Sequence, residues 1–303
     1  MSANPRPLPP PLARGARVGV MALSGPPDPA ALAAGLDWLR AAGFEVVPAP
    51  NLAVRSGYLA GSDRERIDGL ERLLDVGVDA LLAARGGYGA TRLLPELPWE
   101  RLAAWGGWVV GFSDLTALHA GLATRFPVAT LHGPVGTTLA SDAEGGDHLL
   151  AWLRGEAPAS LFALAPEQVV RGGRARGVSA GGNLSMLVAL LGTPYEPVFD
   201  GAVVFLEDVG EPLYRLDRLL TQLRLSSRLA RAQAVVAGRF ARCGRDEPAA
   251  RERLQAMLAE SVPGGAVLVE GLPFGHDGTN RPFPLGVEVE VDTAQGQITW
   301  DGP

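Results

Sequence analysis

The chain has 303 residues, net charge −6 and one cysteine, Cys243. That length suits about two domains of ~150 residues, and the acidic balance, without a basic stripe interleaved with aromatics, excludes nucleic acid as the main partner. A lone cysteine can form neither an internal disulfide nor a thiolate metal cluster, and all 27 basic residues are arginine, which removes Schiff-base chemistry, a lysine phosphate loop and a Ser-Lys dyad.

The start, Met1 to Pro11, is proline-rich and has no apolar core of a signal peptide. No apolar run reaches the ~20 residues needed to span a bilayer, so the expectation is a cytoplasmic protein with no membrane partner. Val18 to Leu23 reads as a strand, Pro29 to Ala42 as a helix with Leu32, Leu36 and Leu39 on one side, and Phe44 to Val47 as a second strand. Asp63 to Val76 repeats the helical spacing through Ile67, Leu70, Leu73 and Leu74, and Asp79 to Ala84 is another buried strand. Trp108 to Phe112, a helix carrying Leu115, Leu118, Leu122 and Phe126, the strand Val128 to Leu131 and a helix around His148 to Arg154 continue the alternation. Such βα repetition implies a parallel sheet covered on both faces, with ligands beyond the carboxyl ends of its strands.

Gly155 to Pro166 turns to Gly, Ala and Pro without periodicity and is read as a linker. Beyond it the signals mix. Val169 to Val178 reads as a hairpin, Asn183 to Leu191 as a short helix, Ala202 to Leu206 as a strand and Pro212 to Leu225 as an amphipathic helix. Ala234 to Phe240, a helix near Glu247 to Ala259, Ala266 to Glu270 and a closing hairpin in Val287 to Trp300 complete a β-rich α+β domain. The resulting division is a disordered Pro-rich tail over 1–16, an N-terminal α/β domain over 17–155, a linker over 156–167 and a C-terminal domain over 168–303.

Gly111-Phe112-Ser113-Asp114 places a serine at a strand-to-helix break, where a nucleophile is lifted out of a sheet and the following helix turns unpaired N–H groups toward developing negative charge. Position 115 is leucine, so the G-x-S-x-G elbow of α/β hydrolases is incomplete, and Ser and Asp are also ordinary helix caps. Arg85-Gly86-Gly87-Tyr88-Gly89 follows a neighbouring strand. It can present glycine N–H groups to an oxyanion, or be a plain tight turn; as a dinucleotide loop it lacks the third glycine, since Arg92 stands there.

Serine chemistry needs a base and a group to orient it. His276, in the Gly/Pro-rich loop Gly271 to Asn280, is the best candidate, with His132 at a strand end as runner-up; His119 reads as a packing or surface residue and His148 as exposed. Leu206-Glu207-Asp208 ends a buried strand with two carboxylates, either of which could accept from the imidazole, while Asp208 and Glu211 could also cap the helix after Pro212. The four histidines show no metal-ligand spacing, and neither metal nor cofactor is expected.

These segments carry a family resemblance from about Val18 to Val289. Ala84 to Gly89, Gly111 to Asp114, Gly181-Gly182-Asn183-Leu184, Leu206 to Asp208 and Pro273 to His276 occur in the order seen in LD-carboxypeptidases, the serine-peptidase family that includes murein tetrapeptide carboxypeptidases and microcin C immunity peptidases. The resemblance implies Ser113 as nucleophile, His276 as base and acid, and Glu207 as its orienting carboxylate. It implies an oxyanion hole from the N–H of Asp114 and of Gly87, with Gly86 as the fallback. Arg85, Tyr88 and Asn183, within the same motifs, are assigned to substrate binding, and Arg85 or Arg239 to the terminal carboxylate.

It further implies an N-terminal flavodoxin-like or class I amidotransferase-like parallel-sheet domain, a C-terminal barrel-like domain, a site between them and a homodimer. The expected activity is release of terminal D-alanine from a murein tetrapeptide through an acyl-enzyme. The alternatives are an immunity-type peptidase acting on an aminoacyl-nucleotide amide, which would need aromatic stacking, and a non-catalytic peptide or nucleotide binding protein.

Overall fold

Two sheets of opposite character hold the chain, which the computed structural model describes over residues 6–245 and 247–302. The first half alternates β1 Arg17–Met21, α1 Pro29–Ala41, β2 Glu45–Pro48, α2 Asp63–Asp75, β3 Ala80–Ala83, α3 Ala90–Leu93, α4 Trp99–Trp105, β4 Trp108–Gly111, α5 Thr116–Arg125, β5 Thr130–His132 and α6 Ala143–Leu153. Three of its helices start where the sequence supplies acceptors for their free N–H groups: the Asp28 carboxylate accepts from Ala31 N on α1, Ser62 with Glu65 forms a reciprocal capping box on α2, and the Asp142 carboxylate accepts from Gly145 N on α6.

The second half runs through β6 Ser160–Ala163, β7 Val169–Arg171, β8 Arg174–Asn183, α7 Leu184–Ala189, β9 Val203–Val209, α8 Leu213–Leu225, β10 Ala234–Ala241 and α9 Ala250–Ser261. It closes with β11 Val267–Val269, β12 Phe283–Leu285, β13 Glu288–Asp292 and β14 Gln297–Trp300.

The first sheet has the order β12-β5-β4-β3-β1-β2, parallel except for β12, which pairs antiparallel to β5. β3 and β4 are buried at every position, the pattern of strands covered on both faces. The second sheet, β6-β14-β13-β8-β9-β10-β11-β7, is parallel from β8 to β11 and antiparallel at both ends. This is the mixed α/β architecture expected. One apolar cluster joins the halves, running from Val18 and Val110 through Leu131 and Phe162 to Phe205, Phe274 and Phe283.

Three expectations differ from the structure. The span read as a linker contains β6, which pairs with β14 and buries Leu161 and Phe162; four residues between Ala, Pro and Gly are too few to show a period. The expected hairpin across Gly172 and Gly173 does not form, because β8 is flanked by β13 and β9 while β7 pairs with β11. Residues 6–16 are not a disordered tail: Leu12 is buried, its N–H donates to Leu153 O at 2.6 Å, Trp108 Nε1 donates to Pro10 O at 2.9 Å and Arg6 N donates to Gly286 O at 2.9 Å. Proline here fixes an extended segment that spans both halves. Residues 1–5 of that expected tail lie outside the described residues.

Candidate active site

The carboxyl ends of β1, β3 and β4 meet at one edge, and Ser113 stands there, directly after β4. Its φ is +62°, a conformation that costs a non-glycine residue roughly 1–3 kcal/mol and persists only when surroundings impose it. The surroundings are Gly86 and the wholly buried first turns of α5. A Cβ on Gly86 would lie 2.8 Å from Ser113 Cβ and 3.0 Å from its Oγ, so only glycine allows this approach. Gly87, at φ +119°, turns the loop away toward Gly25.

His276 comes from the loop after β11. Its Nε2 accepts from Ser113 Oγ at 2.9 Å and its Nδ1 donates to Glu207 Oε2 at 2.6 Å, in the tautomer those partners require. Glu207 is fully buried near the end of β9. The loop is held by Gly275 N donating to Asn280 Oδ1 at 2.9 Å, by Asn280 N donating to Asp142 Oδ2 of the first half at 2.8 Å, and by Arg239 donating to the Asp277 carbonyl. Phe112 packs against the His276 ring with centroids 4.7 Å apart.

The structure thus brings together Ser113, Glu207 and His276 from three distant segments. Asn183 takes a different place from the one expected: it is buried, its Nδ2 donates to Glu207 Oε1 at 3.2 Å and Asp208 Oδ1 at 3.1 Å, and its Oδ1 accepts from Met186 N at 3.2 Å. Its polar atoms are engaged inside the protein, which leaves little for a substrate. The second carboxylate, Asp208, accepts from Ser185 Oγ at 2.7 Å and Ser185 N at 3.0 Å, and burial raises its pKa, with the charge of Glu207 adding to the effect. It supports α7 and not the helix after Pro212.

Arg85 is exposed and donates to Pro26 O at 3.1 Å. Tyr88, 49% exposed, packs edge-on against Tyr58, 67% exposed, with centroids 5.5 Å apart. Sequence reasoning missed Tyr58; an aromatic in a Ser/Gly loop at the same sheet edge was the available signal. Two of the other histidines, His119 and His132, are dry, while His148 is half-buried at the surface. His119 Nε2 donates to Gly111 O at 2.9 Å, and burial pulls its pKa down to about 4. His132 stacks on Phe283 at 4.5 Å, and burial holds its pKa well below the usual imidazole value, so it stays neutral and out of the site. Burial pushes the Cys243 thiol up to about 11, which leaves it unreactive at neutral pH. Among the described residues no group of three or more His, Cys, Asp or Glu could hold a metal ion, and no helix is long and apolar enough to cross a membrane.

The models of the LD-carboxypeptidase N-terminal and C-terminal domains match residues 18–133 and 176–291. The chain belongs to the LD-carboxypeptidase family. It is a carboxypeptidase-type hydrolase. A Streptomyces coelicolor protein that carries a provisional carboxypeptidase name is 44% identical, over 96% of this chain and 95% of its own. The murein tetrapeptide carboxypeptidase of Pseudomonas aeruginosa is 34% identical over 78% of this chain and 80% of its own.

Two solved structures share the two-sheet fold. The muramoyltetrapeptide carboxypeptidase of Oxalobacter formigenes superposes with a TM-score of 0.82 at 27% identity, covering 95% of this chain and 99% of that one. The microcin C7 self-immunity protein bound to aspartyl sulfamoyl adenosine superposes with a TM-score of 0.85 at 22% identity, covering 97% and 98%, a likeness of fold alone.

Proposed function

We propose that this LD-carboxypeptidase releases terminal D-alanine from murein tetrapeptides by a Ser-His-Glu acyl-enzyme mechanism, as a step of cell-wall recycling. The observation that carries the reading is the unbroken hydrogen-bonded run from Ser113 Oγ through both ring nitrogens of His276 to Glu207, at the sheet edge where α/β folds bind ligands. The similarity to the Pseudomonas aeruginosa murein tetrapeptide carboxypeptidase supports the substrate.

Ser113 Oγ attacks the carbonyl of the L-centre joined to D-alanine, and His276 takes the hydroxyl proton and passes it to the leaving amine. Glu207 keeps the proton on Nδ1 and stabilises the imidazolium. Water, deprotonated by His276, then frees Ser113. The Asp114 N–H is one oxyanion donor. Gly87 N–H is the favoured second, because Gly86 O faces Gly25 N at 3.3 Å and a trans peptide directs the next N–H the opposite way. Gly86 forms the wall beside the nucleophile. Arg85, exposed beside this loop, is the proposed anchor for the terminal carboxylate through its fork of donors.

An aminoacyl-nucleotide amide is the second reading, favoured by one feature: the exposed Tyr58 and Tyr88 rings offer a surface on which a base could stack. Mass spectrometry of both substrates, incubated separately with wild type and Ser113→Ala without added metal, decides between them. D-alanine from the tetrapeptide, lost in the variant, is expected. Turnover of the nucleotide amide alone would replace the tetrapeptide assignment, and turnover of either substrate by Ser113→Ala would remove the serine mechanism.

A further inference from the structure

We propose that the side chain of Asp114 is a positioning residue, latching the Arg85 to Gly89 loop to the turn that carries Ser113; the inference rests on Ser113 being the nucleophile. An aspartate in this place is expected to cap the helix it enters. It does not: neither the turn at Ser113–Leu115 nor α5 has a side-chain cap. The carboxylate, 1% exposed, reaches sideways instead. Its Oδ2 accepts from Ser24 Oγ at 2.6 Å and from Ala90 N at 2.8 Å.

Ser24 follows β1, Ala90 opens α3 just after the β3 loop, and Asp114 follows β4. Since β4, β3 and β1 are adjacent in the sheet, one carboxylate bridges three neighbouring strand ends. Burying it costs free energy that only its donors offset, and an apolar side chain would fill the space without that cost. The loop is pinned at two more points. Arg66 of α2, fully buried, donates to Gly89 O at 2.9 Å and to the Leu23 carbonyl, and Gly25 N donates to Gly86 O at 3.3 Å.

With Gly86, Gly89 and Ala90 held, Gly86 stays against Ser113 Oγ and the loop's N–H groups keep their aim. Donors placed before charge develops cost no reorganisation during reaction. Releasing the latch therefore slows chemistry and leaves ground-state binding in place.

The test compares wild type, Asp114→Ala, Asp114→Asn and Ser24→Ala. The readouts are thermal midpoint, kcat and KM for D-alanine release, and the second-order rate of Ser113 modification by an alkyl fluorophosphonate. In that modification Ser113 Oγ bonds to phosphorus, fluoride leaves and His276 takes the proton. Asp114→Ala is expected to lower kcat and the modification rate about 10²-fold, the scale of one oxyanion donor, with KM within about twofold. Asp114→Asn keeps an acceptor oxygen for Ala90 N–H and restores about tenfold, and Ser24→Ala loses about threefold to tenfold. If Asp114→Ala fails to fold, the other two variants carry the test. Unchanged kcat and modification rate, a rise in KM alone, or no advantage of Asn over Ala would overturn the latch. Should wild type release no D-alanine while the modification rates follow this order, the substrate reading fails and the latch stands.

Discussion

The two halves present their parts of the proposed triad by different physics. On the nucleophile side the last contact is steric: Ser113 is held at φ +62° between Gly86, which the Asp114 latch keeps in place, and buried α5, and a shift of a few tenths of an ångström meets hard contacts. On the His276 side the groups are hung on hydrogen bonds, from Asn183 to Glu207, Gly275 to Asn280 and Arg239 to Asp277. Beyond the pairing of β12 with β5, bonds near the site register the halves against each other, among them Asn183 N donating to Thr116 Oγ1 at 3.0 Å and Asn280 N donating to Asp142. Steric support should fail abruptly, and hydrogen-bonded support by degrees.

The sharpest break is Gly86→Ala. Its methyl would sit 2.8 Å from Ser113 Cβ, and D-alanine release should fall about 10³-fold or more while circular dichroism shows an intact fold. Activity within tenfold of wild type would contradict the steric account. Of comparable size is the effect of Glu207→Gln, which preserves shape but loses the charge that stabilises the imidazolium. Its kcat should drop about 10³–10⁴-fold, by analogy with a Ser-His-Asp triad deprived of its carboxylate. A smaller, graded effect is expected from Asn183→Ala, which removes a donor to Glu207 and the cap of α7: about a tenfold lower kcat and about 1 kcal/mol less stability by denaturant titration. A collapse as complete as that of Gly86→Ala would erase the distinction between the halves.

The smallest effect on catalysis, though visible in stability, comes from the dry histidine behind Ser113. His119 has its pKa lowered to about 4 in the fold against ~6.5 unfolded. The unfolded chain therefore binds the proton first, and stability that is complete above pH ~6.5 is lost as pH falls toward about 4. The loss from this group is on the order of 3 kcal/mol. Urea midpoints at pH 7.5 and pH 4.5 should show the decline, and His119→Gln should flatten it. An unchanged slope in the variant would assign acid sensitivity elsewhere.

Much of this was legible in the sequence. The βα alternation through Val110 and Leu131 follows from apolar periodicity, and the motif order put Ser113, Glu207 and His276 on one list before any fold was known. What escaped was set by tertiary pairing. Leu161 and Phe162 become a strand only because β14 supplies a partner, and the turn at Gly172 has hairpin composition while its flanks find other neighbours. Pro7 to Leu12 resembles a disordered tail until Trp108 donates to Pro10 O and Leu153 O accepts from Leu12 N–H. Asn183 looked like a substrate contact because sequence shows a polar motif residue and hides which way its amide turns.

The most direct test of the central claim is hydroxylamine trapping during tetrapeptide turnover. A covalent Ser113 intermediate predicts that wild type forms a tripeptide hydroxamate together with D-alanine, in proportion to hydroxylamine concentration, and that Ser113→Ala forms neither. D-alanine release without hydroxamate at any hydroxylamine concentration, or release persisting in Ser113→Ala, would contradict the acyl-enzyme account.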